Sequence, residues 1–127
     1  MADIVIRLLH VDDLEEEFIL LRELLSFAQD IHFDIHWVSD LRTALKAMDE
    51  NTFDICLVDY HLGMDKGLDL IEAATAKGIK IPFILMSGQN DRLVEREALK
   101  LGARQCINKN DITTSVLLKA IRDALGI

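Results

Sequence analysis

The chain is poor in several features that would mark particular functions. It has only two cysteines, Cys56 and Cys106, each inside an apolar run and without CxxC spacing. That excludes a disulfide framework and a thiolate zinc site, and fits reduced, buried thiols in a cytosolic protein. Basic residues are outnumbered, 14 Lys and Arg against 22 Asp and Glu, for a net charge of −8. Such a balance disfavours binding to nucleic-acid backbones or anionic lipid surfaces, so no direct nucleic-acid or membrane partner is expected. No apolar stretch reaches the roughly 20 residues needed to span a bilayer, and no basic-then-apolar leader is visible. The expected location is the cytoplasm. No glycine-rich loop follows the first apolar run, which removes the phosphate-cradling turn of many nucleotide sites.

What the chain does have is four short apolar runs, each stopping at a residue able to handle a phosphate or a metal. IRLLHV precedes Asp12 and Asp13, FDICLV precedes Asp59, IPFILM precedes Ser87, and RQCIN precedes Lys109. All four are rich in the branched and large aliphatic residues that favour strands. With 127 residues, half of them hydrophobic, the chain can build one core unaided, and a single domain over 1–127 is expected.

Helical periodicity fills the gaps between the runs. From Asp13 to Ala28, Leu14, Phe18, Leu21, Leu25 and Ala28 form one stripe. Asp40 is a good N-cap for a second helix with Leu41, Ala44, Leu45 and Met48 inward and Asn51 at its end. A third runs from Gly67 or Leu68 to Lys77, closed by Gly78. Asn90 or Asp91 can cap a fourth, carrying Val94, Ala98 and Leu101 and stopped by Gly102. Asp111 is read as the cap of the last, which buries Val116, Leu117, Ala120, Ile121 and Leu125. A weaker strand near Asp34–Val38 completes five β/α alternations. Such alternation predicts an α/β fold: a doubly wound, flavodoxin-like, five-stranded parallel sheet of order 2-1-3-4-5 with helices on both faces. The order reverses between the first and third strands, and the crevice at their carboxyl ends would hold Asp12, Asp13 and Asp59.

Three carboxylates within about 5 Å of one another repel by on the order of 3 kcal/mol per pair at an effective dielectric near 20. Such a site calls for a cation, and hard oxygen donors with room for water favour Mg²⁺. Asp59, on a strand end with no helix to cap, is placed to attack phosphorus as a carboxylate nucleophile. Ser87 and Lys109 complete a clamp, one with a hydroxyl donor and one with a point positive charge.

These residues, in this order, resemble the receiver domain of two-component response regulators. The resemblance covers essentially the whole chain, through VDD at Val11–Asp13, LVDYHLG around Asp59, LMSG around Ser87 and INKN around Lys109. It implies that Asp59 is the phosphoacceptor, that Asp13, Asp59 and the His61 backbone carbonyl bind Mg²⁺ directly, and that Asp12 helps directly or through water. Ser87 and Lys109 would contact the phosphoryl oxygens. A histidine kinase or histidine phosphotransfer protein would be the donor, and a downstream effector or output domain would read the switch. Beyond its own phosphorylation and dephosphorylation, the domain would be a regulator and not an enzyme.

Several positions depart from the family pattern. Asn110 stands where proline usually follows the lysine, so a trans bond and a differently shaped loop are expected. Cys106 replaces the aromatic switch residue three positions before Lys109, which favours output through another surface. His61 and Gln89 occupy positions that govern water access to the phosphate. Gly63, where proline is common, is expected to loosen the loop after Asp59.

Taken singly, several of these residues have plainer readings. Asp12 and Asp13 could be an N-cap and a first-turn acid. His32 and His36 lie in a strand-like run and do not read as a metal pair. His10 reads as a core or crevice-edge side chain, Glu15–Glu17 as an exposed face, and Phe27, Phe33, Phe53 and Trp37 as packing residues. Two rival functions remain: a receiver-like scaffold that never carries phosphate, and a flavodoxin-like or phosphatase-like enzyme of the same topology.

Overall fold

The computed structural model describes residues 4–88 and 92–127. Five parallel strands, β1 (Ile4–Val11), β2 (Ile31–Val38), β3 (Ile55–Asp59), β4 (Phe83–Ser87) and β5 (Gln105–Asn108), form one sheet of order β2-β1-β3-β4-β5. The helices α1 (Glu15–Leu25), α2 (Leu41–Glu50), α3 (Gly67–Ala76), α4 (Arg92–Leu101) and α5 (Thr114–Leu125) alternate with them. This is the flavodoxin-like arrangement that the alternation predicts.

The sheet separates two apolar layers. One packs Leu9, Val11, Cys56, Val58, Phe83 and Leu85 against α2, α3 and α4. The other packs Ile6, Leu8, Ile55, Leu57, Ile84 and Met86 against α1 and α5. Every residue of β3 is buried, because a central parallel strand is covered on both sides. Each fully buried aliphatic side chain contributes roughly 1.5–3 kcal/mol.

Differences from the sequence expectations are local, and most have a physical cause. α1 starts at Glu15 and not Asp13, because the Asp12 carboxylate accepts the Leu14 N–H at 3.0 Å and holds Leu14 extended and exposed. It ends at Leu25, where the Ser26 N–H bonds back to Arg22 and Glu23 carbonyls. β2 begins at Ile31, earlier than Asp34. Its odd positions face the core and its even positions, His32, Asp34 and His36, face outward, so its true signal is alternation. The last helix is capped by Thr113, whose hydroxyl accepts the Val116 N–H at 3.1 Å, and not by Asp111. Asp111 instead closes a 3₁₀ turn, Lys109–Asp111. Val116 and Phe27 are exposed, not packed, and Cys106 is only half-buried. The Asn90 or Asp91 cap and Gln89 lie outside the described residues.

The Asp40 cap is as expected, accepting the Thr43 N–H at 2.7 Å. No cis peptide bond occurs among the described residues, so Lys109–Asn110 is trans. The Asn108 side chain accepts the Asn110 N–H at 2.9 Å, and the Asn110 amide donates to the Gly88 carbonyl at 3.2 Å.

Candidate functional site

Parallel register brings the candidate residues to one end of the sheet. Asp12 follows the last residue of β1, Asp59 ends β3, Ser87 ends β4, and Lys109 follows β5. Val11 pairs with Val58, Asp59 with Met86, and Ser87 with Asn108, so all four strand ends open on the same side.

Asp12, Asp13 and Asp59 each offer a carboxylate oxygen, and these atoms lie within 4.8 Å of one another. Asp12 and Asp59 are buried, while Asp13 is exposed. Lys109 Nζ reaches 2.9 Å from Asp59 Oδ1, 3.3 Å from Asp12 Oδ2 and 3.8 Å from Glu17 Oε1. Thus three carboxylates, those of Asp12, Glu17 and Asp59, converge on one ammonium.

The charge states follow from these neighbours. Burial pushes the Asp59 carboxyl above its ordinary value, and repulsion from Asp12 and Asp13 adds to that, with Lys109 opposing. Burial would raise Asp12 too, but the His10 ring, the Leu14 N–H and Lys109 outweigh it and hold Asp12 low. Burial would lower Lys109, yet Asp59, Asp12 and Glu17 keep it raised and charged. A hard divalent cation fits this donor set, since it would relieve repulsion that one lysine leaves uncompensated.

Backbone features hold the acids in place. The Trp37 indole N–H donates to the Asp12 carbonyl at 2.8 Å, and the Asp12 N–H donates to Val38 at 3.1 Å. Trp37 stacks on Phe18 of α1, with ring centroids 5.2 Å apart. After Asp59 the chain forms a short antiparallel ribbon, His61–Leu62 against Asp65–Lys66. Gly63 supplies the turn's φ of +66° and donates its N–H to Asp13 Oδ2 at 3.2 Å. The ribbon leads into Gly67, whose N–H bonds the Tyr60 carbonyl at 2.7 Å. A Cβ at Gly67 would stand 2.3 Å from the Asp59 carbonyl oxygen, so only glycine fits.

By measured contact, Asp12, Asp13, Asp59 and Lys109 form one site. Ser87 is half-buried and reaches the same end of the sheet through its strand, and His61 through its place two residues after Asp59. The His61 ring is exposed and meets Tyr60 edge-on at 4.8 Å. Glu17 was legible only as part of an acidic face. Its place one helical turn beyond Asp13 was the available signal for a role beside Lys109.

Comparison with known proteins extends this picture. The response regulator receiver domain family matches residues 8–122. The regulatory protein VirG of Agrobacterium tumefaciens is 33% identical over 118 residues, covering 90% of this chain and 43% of VirG. VirG of Rhizobium rhizogenes is 32% identical over 114 residues, covering 87% of this chain and 46% of that protein. The chain therefore spans less than half the length of these curated relatives. Among solved structures, a CheY-like receiver domain protein from Methanospirillum hungatei superposes with a TM-score of 0.84 at 22% identity, covering 96% of this chain and 94% of that one. The signal receiver domain of an HD domain-containing protein from Pseudomonas fluorescens gives 0.82 at 25% identity, covering 94% of each chain.

Proposed function

Because this chain belongs to the response regulator receiver family, we propose that it accepts a phosphoryl group on Asp59 and thereby changes its binding to a protein partner. The observation that carries this reading is the meeting of three carboxylates within 4.8 Å, with Lys109 Nζ 2.9 Å from Asp59 Oδ1. A nucleophilic acid, a cation site and a fixed positive charge are the parts that phosphoryl transfer to a carboxylate requires.

A carboxylate oxygen of Asp59 attacks the phosphorus of a phosphohistidine presented by a histidine kinase or phosphotransfer protein. The P–N bond breaks, the imidazole leaves with the electron pair and takes up a proton from solvent, and an acyl phosphate remains. Lys109, already beside the attacking group, shifts its interaction to a phosphoryl oxygen, and the Ser87 hydroxyl donates to another. Asp13, Asp59 and the His61 backbone carbonyl would hold Mg²⁺ directly, with Asp12 behind them. When bound, the ion supplies charge neutralisation to the transferred group. Attack of water on the acyl phosphate releases inorganic phosphate and returns the free carboxylate. The domain is thus a regulatory element whose chemistry ends with its own modification.

The added charge, about two units near neutral pH, is a large perturbation in a buried crevice. A downstream effector, or an output domain such as the remaining length of the relatives would allow, reads the resulting change. With Cys106 in place of an aromatic residue, the readout runs through surfaces other than an aromatic rotation on β5. The proposed phosphohistidine donor and the two free cysteines support a cytoplasmic location.

Incubation with acetyl phosphate and Mg²⁺ followed by intact-mass measurement tests the proposal. One added phosphoryl group on the wild type, lost in Asp59→Asn and on chelation of the metal, is the expected result. An unmodified wild type would favour the scaffold reading, and labelling retained in Asp59→Asn would move the acceptor elsewhere.

A further inference from the structure

His10 does not fit the face of β1 on which it sits. Its companions there, Ile6 and Leu8, are buried aliphatics that belong to the layer beneath α1 and α5. His10 is as deeply buried, at 1% exposure, yet neither Nδ1 nor Nε2 has a hydrogen-bond partner. A buried imidazole without partners is costly, so the ring must satisfy its nitrogens with something other than the neighbouring side chains alone. An aliphatic residue would pack here without that penalty.

Two features of the surroundings show what the ring can serve. First, Nε2 stands 3.6 Å from Asp12 Oδ2, just beyond direct hydrogen-bond length, and that same oxygen takes the Lys109 ammonium at 3.3 Å. Second, the ring borders a small, partly open pocket lined by three leucines of α1, Met86 and Ile112 as well as by Asp12, Glu17 and Lys109. The space open to a water's centre there is about 10 Å³, enough for a single molecule. His10, Asp12, Glu17 and Lys109 are the polar groups on an otherwise apolar lining, and they offer the two to four partners that a held water needs.

From this geometry we propose that His10 is a positioning residue for the acidic site, holding Asp12 through one water in this cavity. The inference rests on the reading that Asp12, Asp13 and Asp59 take Mg²⁺. Asp12 is the innermost of the three, and its Oδ1 is already fixed by the Leu14 N–H at 3.0 Å. His10 and its water fix Oδ2 together with Lys109, which lines the same pocket. When Lys109 turns toward a phosphoryl group, the His10 contact keeps Asp12 in place. Groups that orient metal-binding side chains from behind commonly change metal affinity by ten- to a hundredfold when removed.

The test compares wild type, His10→Leu and His10→Gln. Titration with MgCl₂ alone, followed by the amide NMR shifts of Leu14 and Gly63, is expected to show about tenfold weaker binding for His10→Leu. His10→Gln, which keeps a donor and an acceptor, should stay within about twofold of wild type. Wild-type affinity in His10→Leu, or equal weakening in both variants, would overturn the proposal. A crystal structure of the metal-free wild type is the second arm and needs no variant to fold. An ordered water within hydrogen-bond distance of a His10 ring nitrogen is expected, and a cavity without density would overturn the proposal. A wild type that binds no Mg²⁺ would instead remove the reading of the site, leaving the water at His10 to be decided by the crystal.

Discussion

The ammonium of Lys109 lies 2.9 Å from Oδ1 of Asp59, joining the ends of β5 and β3 across the sheet strand that separates them. Among the described residues no other ammonium is paired with Asp12 or Asp59, and one positive charge does not offset three clustered acids. Several consequences can be measured.

Replacing Asp59 by Asn should stabilise the metal-free protein. Its carboxyl is raised above the ordinary 3.8 by burial first and by Asp12 and Asp13 next, so its ionised form opposes folding above that pH. Removing that charge should add about 1 kcal/mol at neutral pH, or roughly 3–5 °C in Tm. The advantage should shrink as pH falls through the folded pKa of Asp59, where the wild type becomes neutral too. Asp12 behaves oppositely: its contribution holds above 3.8 and is lost only as pH falls through its lower folded value. The stability supplied by Lys109 is complete below 10.5 and lost as pH rises through its higher folded value. Thermal melts of both proteins across pH check all three signs.

Gly67→Ala should be among the most damaging single-methyl changes. The new Cβ would fall 2.3 Å from the Asp59 carbonyl oxygen and 3.0 Å from Leu85 Cδ1. Backbone must then shift, at a cost of about 2–3 kcal/mol, and the displaced strand end should also slow phosphorylation. Urea unfolding and the acetyl phosphate assay report the two effects separately.

Trp37 should report directly on the acidic site. It is the single tryptophan, and its indole N–H donates to the Asp12 carbonyl at 2.8 Å. Titration with Mg²⁺ should change its emission with the same midpoint as metal binding measured by NMR. Trp37→Phe should abolish the signal and cost about 1 kcal/mol through the lost hydrogen bond.

The two candidate caps of α5 can be separated by alanine substitution. Thr113→Ala should cost about 1 kcal/mol, because it leaves the Val116 N–H without its hydroxyl acceptor. Asp111→Ala should be near neutral in urea unfolding.

The strands and their order were legible because each apolar run stops abruptly at a polar residue, and parallel alternation leaves few topologies. Asp12, Asp13, Asp59 and Lys109 were legible for the same reason, being the residues at which the runs stop. The rest depended on contacts between distant parts of the chain. Asp111 and Thr113 are both good caps by type, and only the 3₁₀ turn at Lys109–Asp111 decides between them. Leu14 has the right spacing for α1, but the Asp12 carboxylate takes its N–H and moves the helix start. The near approach of Gly67 to Asp59, the Trp37 bond to Asp12 and the place of Glu17 beside Lys109 need the folded chain to be seen. β2 was read short because its outward histidines and aspartate hid a strand with one wet face.

The sheet also acts as a partition. The packing under α2, α3 and α4 and the packing under α1 and α5 share backbone but not side chains. A truncation such as Leu70→Ala in the first and one such as Leu117→Ala in the second should therefore lower stability by amounts that simply sum. The strand tips are where the two compartments meet, so a covalent event there can disturb either layer while the opposite one keeps the domain folded.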